Sequence, residues 1–380
     1  MRYLYFPLFA LLLMLVSCNE PNQPLENTQS FDTVFRTEIY HPGDYDSKNY
    51  RIPAIITAKD GSLVIATDKR KNNEGDLPED IDILINRSTD GGRTWSEPII
   101  LAQGTGFEQG FGDCALVQTN DEGGLMAAFV GGKGLWASTP ENSNRSYIAR
   151  SYDNGLTWTE PEDVTALIFG AGCADSVRQT WRASFFGSGN GLLTSTGRIM
   201  FVAAIRETEA WQLNNYVFYS DDNGETWNLS QRASVGGDEA KVVELNDGRI
   251  LMSIRHEGNR WFNISEDGGE TWQPEVSVWN DITAPACNGD IIRYQFGNED
   301  CLLHSVPYGD SRDSVTVFAS LDEGLTWPVR RCVVPYPSAY SSLCVLRDGT
   351  IGMYVEEKQV DSLGYTMVFY NFGMDWLTKK

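Results

Sequence analysis

One eight-residue pattern, Ser-x-Asp-x-Gly-x-Thr-Trp, recurs five times in this chain, at 88–95, 151–158, 220–227, 265–272 and 320–327. Every copy keeps all five fixed residues, and the starts lie 63, 69, 45 and 55 residues apart. The physics of the pattern predicts a tight hairpin turn. An Asp side chain accepts hydrogen bonds from N–H groups in a turn, and a glycine two residues on supplies a positive φ. Thr and Trp are expected to start the returning strand, with the indole packed over the turn. β-rich runs at 81–86, 146–150, 216–219, 260–264 and 315–319 precede the five copies.

The spacing leaves room for four strands per repeat. Sheets of that size cannot bury both faces alone, and they stack radially as propeller blades. The expected fold is all-β: a six-bladed β-propeller of four-stranded antiparallel blades, five of them carrying the repeated turn, the Asp box. The sixth blade is expected from strands at 342–346, 351–356 and 366–371. Its remaining strand comes from the N-terminus, around 33–40, so that both chain ends close the ring and leave no exposed edge. Such a turn is structural, and alone it leaves an enzyme and a binding module equally open.

The first residues read as a processing signal. Arg2 precedes an apolar run over 8–16, shorter than the ~20 residues a spanning helix needs. Leu15-Val16-Ser17-Cys18 looks like a bacterial lipobox, with diacylglycerol attached at Cys18. The expected organisation is a signal peptide at 1–17, a lipidated Cys18 and polar tether at 18–30, and the propeller at 31–380. That describes an exported bacterial lipoprotein facing the periplasm or the cell surface, touching membrane only through its lipid.

A net charge of −22 excludes a general nucleic-acid binder. An anionic substrate must then be captured by local arginines against a repulsive global field. Cys114, Cys173, Cys287, Cys301, Cys332 and Cys344 are scattered without CxxC pairing and read as small buried hydrophobes, with disulfides, which export would permit, as the alternative. His41, His256 and His304 lack metal-ligand spacing.

Three arginines fall near strand ends in different repeats: Arg51, in Arg-Ile-Pro; Arg255, closing 249–255; and Arg312, before 315–319. Singly, each reads as a surface ion-pair residue. Converging at a central channel, they make a rigid carboxylate site, because a guanidinium is always charged and offers forked donors. Arg293 competes for the third place. The Gly-Ser-Gly-Asn-Gly run at 187–191 reads as turns, since it lacks the strand–helix context of a nucleotide site.

The Arg-Ile-Pro motif followed by Asp boxes resembles the bacterial sialidase (neuraminidase) family, from about Phe35 to Phe372. The resemblance implies an exo-α-sialidase that acts as a monomer on sialylated glycans and needs no metal or organic cofactor. It makes Arg51, Arg255 and Arg312 the cluster that binds the sialic acid carboxylate. In the segment 68–76 it makes Asp76 the general acid/base and Arg70 a sugar contact; without the resemblance the segment reads as a solvated loop, and Asp80 and Asp82 lie close by. Tyr340, in Ala-Tyr-Ser-Ser-Leu, becomes the nucleophile and Glu239, in Asp-Glu-Ala-Lys-Val-Val-Glu-Leu, its base. A neutral phenol suits a substrate whose own carboxylate would repel an anionic nucleophile. Glu356 is expected to orient the first arginine, with Glu357 one register away. Asp113 resembles a pocket aspartate, and Trp136 lines the acetyl side or belongs to the core. Partial desolvation is expected to raise the pKa of Asp76. A trans- or intramolecular sialidase, a non-catalytic glycan-binding propeller, and an enzyme for an ulosonic acid lacking the N-acetyl group are the competing readings.

Overall fold

In the computed structural model, which describes residues 34–358 and 364–379, each β-rich run before a repeat is a strand. The signal segment, Cys18 and the tether lie outside the described residues. Asn49–Thr57, Leu63–Arg70, Ile81–Ser88 and Ile99–Ala102 form the first antiparallel sheet. Phe111–Gln118, Leu125–Gly131, Arg145–Ser151 and Glu162–Asp163 form the second. The third is built on Ala183–Phe186, Ile199–Arg206, Asn214–Ser220 and Asn228–Leu229. Ala240–Glu244, Ile250–Ile254, Gly258–Ser265 and Ser277–Ala284 make the fourth.

The last two sheets share one strand. Val329–Val345 pairs through its first half with Asp313–Ser320, beside Glu299–Pro307 and Asp290–Phe296. Through its second half it pairs with Ile351–Glu357, beside Thr366–Phe372. Phe35–Tyr40 completes this sheet against Thr366–Phe372. Arg36 secures that edge strand: its guanidinium meets the buried Glu357 at 2.6 Å.

Strands such as Ile199–Arg206 are buried along their whole length, because each sheet is covered on both faces. Apolar clusters fill the spaces between consecutive sheets, first against second through fifth against sixth. A further cluster joins the sixth sheet back to the first. The box tryptophans plug these spaces: Trp95 packs between the sixth and first sheets, Trp158 between the first and second, and Trp227, Trp272 and Trp327 follow in order.

The repeated turns share one hydrogen-bond pattern. At Ser220, the hydroxyl donates to Asp222 at 2.8 Å and accepts from Gly224 N at 2.8 Å. Asp222 also accepts from Thr226 N at 2.8 Å and Thr226 Oγ1 at 2.6 Å. Gly224 has φ 90°, as the pattern predicts. The preceding residue is left-handed too, which explains Gly91, Asn154, Asn223 and Gly268 at that unspecified position; Glu323 is the exception. One expectation fails. Thr and Trp do not start the returning strand, which begins further on, as at Ile99 and Ser277. The Asp side chain consumes the Thr backbone N–H that a strand ladder would use.

Among the described residues, the cysteines Cys114, Cys173, Cys287, Cys301, Cys332 and Cys344 are free thiols, all buried except Cys332.

Candidate active site

The sequence-predicted residues gather where four strand registers slip. Arg51 precedes a shift before Ala54, and Ile52 between them has φ 62°, rare for a β-branched residue. Asp113 has φ 57° inside the shift between Gly112 and Ala115. Ser314, two residues after Arg312, has φ 53° beside another shift, and Tyr340 lies in the shift between Ser338 and Ser341. Bulges re-aim side chains, and here they turn Arg51, Asp113 and Tyr340 into one cavity of about 340 Å³.

At its base, Tyr340 Oη donates to Glu239 Oε2 at 2.7 Å. Arg255 Nη1 donates to Tyr340 Oη at 2.9 Å and also to Glu239 Oε2. Arg51 and Arg312 lie over the Tyr340 ring, 5.0 and 5.5 Å from its centroid. Burial pushes the Tyr340 phenol well above its ordinary pKa; Arg255 pulls it down, and Glu239 adds to the rise. The tyrosine is therefore a neutral phenol aimed at a carboxylate.

Glu356, and not its neighbour Glu357, holds the first arginine. Its two oxygens accept from Arg51 Nε and Nη2, each at 3.0 Å. Glu356 also accepts from the backbone N–H of Ile52 at 2.8 Å and of Tyr340 at 3.2 Å, so one buried carboxylate fixes arginine and tyrosine together. Glu357 serves Arg36 and Tyr336 instead. Arg312 donates to Ala286 O at 3.0 Å. Arg293 pairs with Asp300 and Glu323 and lines a different, larger cavity of about 550 Å³, which removes it from the cluster.

Asp76 stands at the rim, with its side chain 71 % exposed and 2.6 Å from Arg70 Nη2. The expected upward pKa shift is not found. The surrounding protein pushes the carboxyl up, but the charges of Arg70 and Arg51 and the Arg70 hydrogen bond outweigh it, and the pKa is lowered. Arg70 itself is buried and is not in the cavity lining; it touches Asp76, Asp68 and Glu74 O. Burial beside Asp68, Asp76 and Glu239 pushes Asp113 well above the ordinary carboxylate range. Asp80 and Asp82 pair with Lys71, away from the cavity.

Trp136 lines the cavity and is 38 % exposed, which rules out a core role. It stacks on Trp211 at 4.5 Å, and Arg206 donates to the carbonyls of Trp136 and Glu209, joining the two loops. Val130, Leu135, Phe185 and Leu213 add an apolar wall. Sequence reasoning missed Asp238 and Trp211. The signal for Asp238, its place beside Glu239, was visible; nothing local marks Trp211.

The architecture is an all-β assembly of sheets around a bulge-lined pocket that holds three arginines and a tyrosine–glutamate pair. The BNR repeat-like domain family matches residues 47–353. The sialidase of Clostridium perfringens is 30 % identical over 312 residues, 77 % of this chain and 80 % of that protein. That of Micromonospora viridifaciens is 33 % identical over 355 residues, 87 % of this chain. The Hadza microbial sialidase Hz136 superposes with a TM-score of 0.80 at 30 % identity, covering 90 % of this chain and 69 % of that one. The chain belongs to the sialidase family. It spans about half, 52 %, of the Micromonospora protein and 62 % of the Bacteroides fragilis sialidase.

Proposed function

We propose that this protein is an exo-α-sialidase that releases terminal sialic acids with retention of configuration. The carrying observation is the Tyr340–Glu239 pair at 2.7 Å beneath Arg51, Arg255 and Arg312. Binding alone requires three arginines; it does not require a phenol set against a carboxylate. The six sheets are read as blades of one closed propeller, supported by apolar packing that runs from each sheet to the next and from the sixth to the first. Export and lipid anchoring at Cys18 belong to the same reading, supported by the lipobox residues.

The arginines hold the substrate carboxylate through forked charge-assisted bonds. Asp76 gives its proton to the glycosidic oxygen as the bond to the anomeric carbon breaks and the alcohol leaves. Tyr340 Oη bonds to that carbon, and its proton passes to Glu239 Oε2. Water then attacks the sialyl-tyrosine and gives a proton to Asp76. The tyrosyl bond breaks, and Glu239 returns the proton to Tyr340. Burial raises the pKa of Asp76, but Arg70 and then Arg51 hold it low. A substrate carboxylate on Arg51 and Arg255 offsets the pull of those two and moves Asp76 back toward the protonated form that the first step needs. The apolar wall of Val130, Leu135, Phe185 and Leu213 beside Trp136 favours an N-acylated sialic acid over one with a hydroxyl there.

The test is incubation with α2,3- and α2,6-sialyllactose, with NMR of the first product. Free sialic acid appearing first as the α-anomer supports the proposal. A β-anomer first, or no release, sinks it; an anhydro product or transfer to lactose selects the intramolecular or trans-sialidase reading.

A further inference from the structure

The run Gly-Ser-Gly-Asn-Gly at 187–191 takes no part in the chemistry above, yet it lies against the strand that follows Glu239. A Cβ on Gly187 would sit 2.4 Å from Ala240 O, and one on Gly189 3.1 Å from Lys241 Cε. Glycine is required there by close approach. The run delivers Ser188, fully buried, to the glutamate.

Glu239 uses Oε2 for both Tyr340 and Arg255. Its other oxygen, Oε1, faces Ser188 Oγ at 3.5 Å, a longer approach than the other bonds of this chain. Asn288 Nδ2 donates to Ser188 Oγ at 3.1 Å and to Ser188 O at 3.0 Å. Asn288 Oδ1 accepts from Lys241 Nζ at 3.1 Å. Lys241, Asn288 and Glu239 are all at most 2 % exposed.

The polarity of this chain is set at its far end. A lysine ammonium only donates, so Asn288 must turn Oδ1 toward it and Nδ2 toward Ser188. With its lone pair engaged, the Ser188 hydroxyl directs its own hydrogen to Glu239 Oε1. The loop carrying Asn288 is itself pinned, since Arg312 donates to Ala286 O at 3.0 Å and Arg260 to Cys287 O at 2.9 Å.

We propose that Ser188 and Asn288, polarised by Lys241, are positioning residues that hold Glu239 with Oε2 toward Tyr340. The inference rests on the sialidase reading. Two variants of the full chain test it. Ser188→Ala removes the last donor. Asn288→Asp keeps the size and accepts from Lys241, gaining an ion pair, but cannot donate to Ser188. Each is expected to lower kcat on an aryl sialoside about tenfold, with KM held within about twofold. Because both break one chain, the double variant is expected to be no slower than the slower single. Because Asn288→Asp also loses the donor to Ser188 O, it is expected to melt below the wild type, and its kcat is compared per folded molecule.

Unchanged kcat in Ser188→Ala, losses that multiply, or losses confined to KM overturn the proposal. So does activity lost only in proportion to unfolded protein. A wild type without sialoside turnover overturns the parent reading and this one with it; a normal wild type beside an unaffected Ser188→Ala overturns this one alone.

Discussion

The boxed turns and the pocket both depend on hydrogen-bonded carboxylates, yet they recruit partners at opposite ranges along the chain. Asp153 finds Ser151 two residues away and Thr157 four residues away. In the pocket, Tyr340 and Glu239 are 101 residues apart, and Arg51 and Glu356 are 305. The hydrogen bonds of a box are therefore complete within its own hairpin, although its tryptophan packs against a neighbouring sheet, whereas the pocket depends on sheets from the whole chain. Their electrostatics diverge as well. Hydrogen bonds from Thr226, then Ser220, lower Asp222 to about 2. Burial, opposed by Arg70, pushes Asp68 beneath the pocket up to about 7.

The strongest way to break this contrast is Tyr340→Phe. It is expected to lower kcat by roughly 10³-fold or more while thermal melting stays near wild type; substantial residual turnover of an aryl sialoside would remove Tyr340 from the chemistry. Glu356→Ala should damage both fold and site. It strands the buried Arg51, at a cost of about 3–5 kcal/mol in denaturant unfolding, and it raises KM through the loosened carboxylate site.

Melting temperature against pH sharpens the comparison further. Box aspartates are depressed in the folded state, so their stabilisation is present above the unfolded value near ~4 and is lost as pH falls, for Asp222 toward about 2. Asp68 and Asp113 are both raised, so folding opposes their ionisation; for Asp68 stability declines as pH climbs from ~4 toward about 7. Stability is expected to peak in the mildly acidic range; a steady rise from pH 5 to 8 would contradict the pocket's part. The smallest effect belongs to Asp153→Ala: about 1 kcal/mol of stability and an unchanged kcat.

The same difference in range decides what was legible in the sequence. The boxes could be read directly, because five fixed residues dictate their own hydrogen bonds. Strand positions and the pairing of Phe35–Tyr40 with the last strands followed from the repeat and from where apolar runs were left over. The pocket residues needed family resemblance, because no local pattern states that Tyr340 faces Glu239. Resemblance pointed to Glu356 with Glu357 one register away, and the register itself depends on the bulges at Ile52 and Tyr340, which no local pattern states. The pKa direction of Asp76 was misjudged because Arg70 at 2.6 Å outweighs the desolvation that loop position alone suggested. Ser188 and Asn288 were invisible for the same reason as Trp211: their partners are set by packing between sheets.

The edge strand Phe35–Tyr40 carries a consequence for biosynthesis. Of the described strands it is translated earliest, and its partner Thr366–Phe372 is translated latest. Arg51 likewise waits for Glu356 to be translated before its charge is matched. At roughly 5–20 residues per second, that interval is on the order of half a minute. Through it the nascent strand presents an open edge to other growing chains, and its alternating Arg36 and Glu38 discourage pairing with them. The turns can form one by one from local hydrogen bonds, but the pocket can appear only in a single late event, once Arg51 has met Glu356 and Glu239 has met Tyr340.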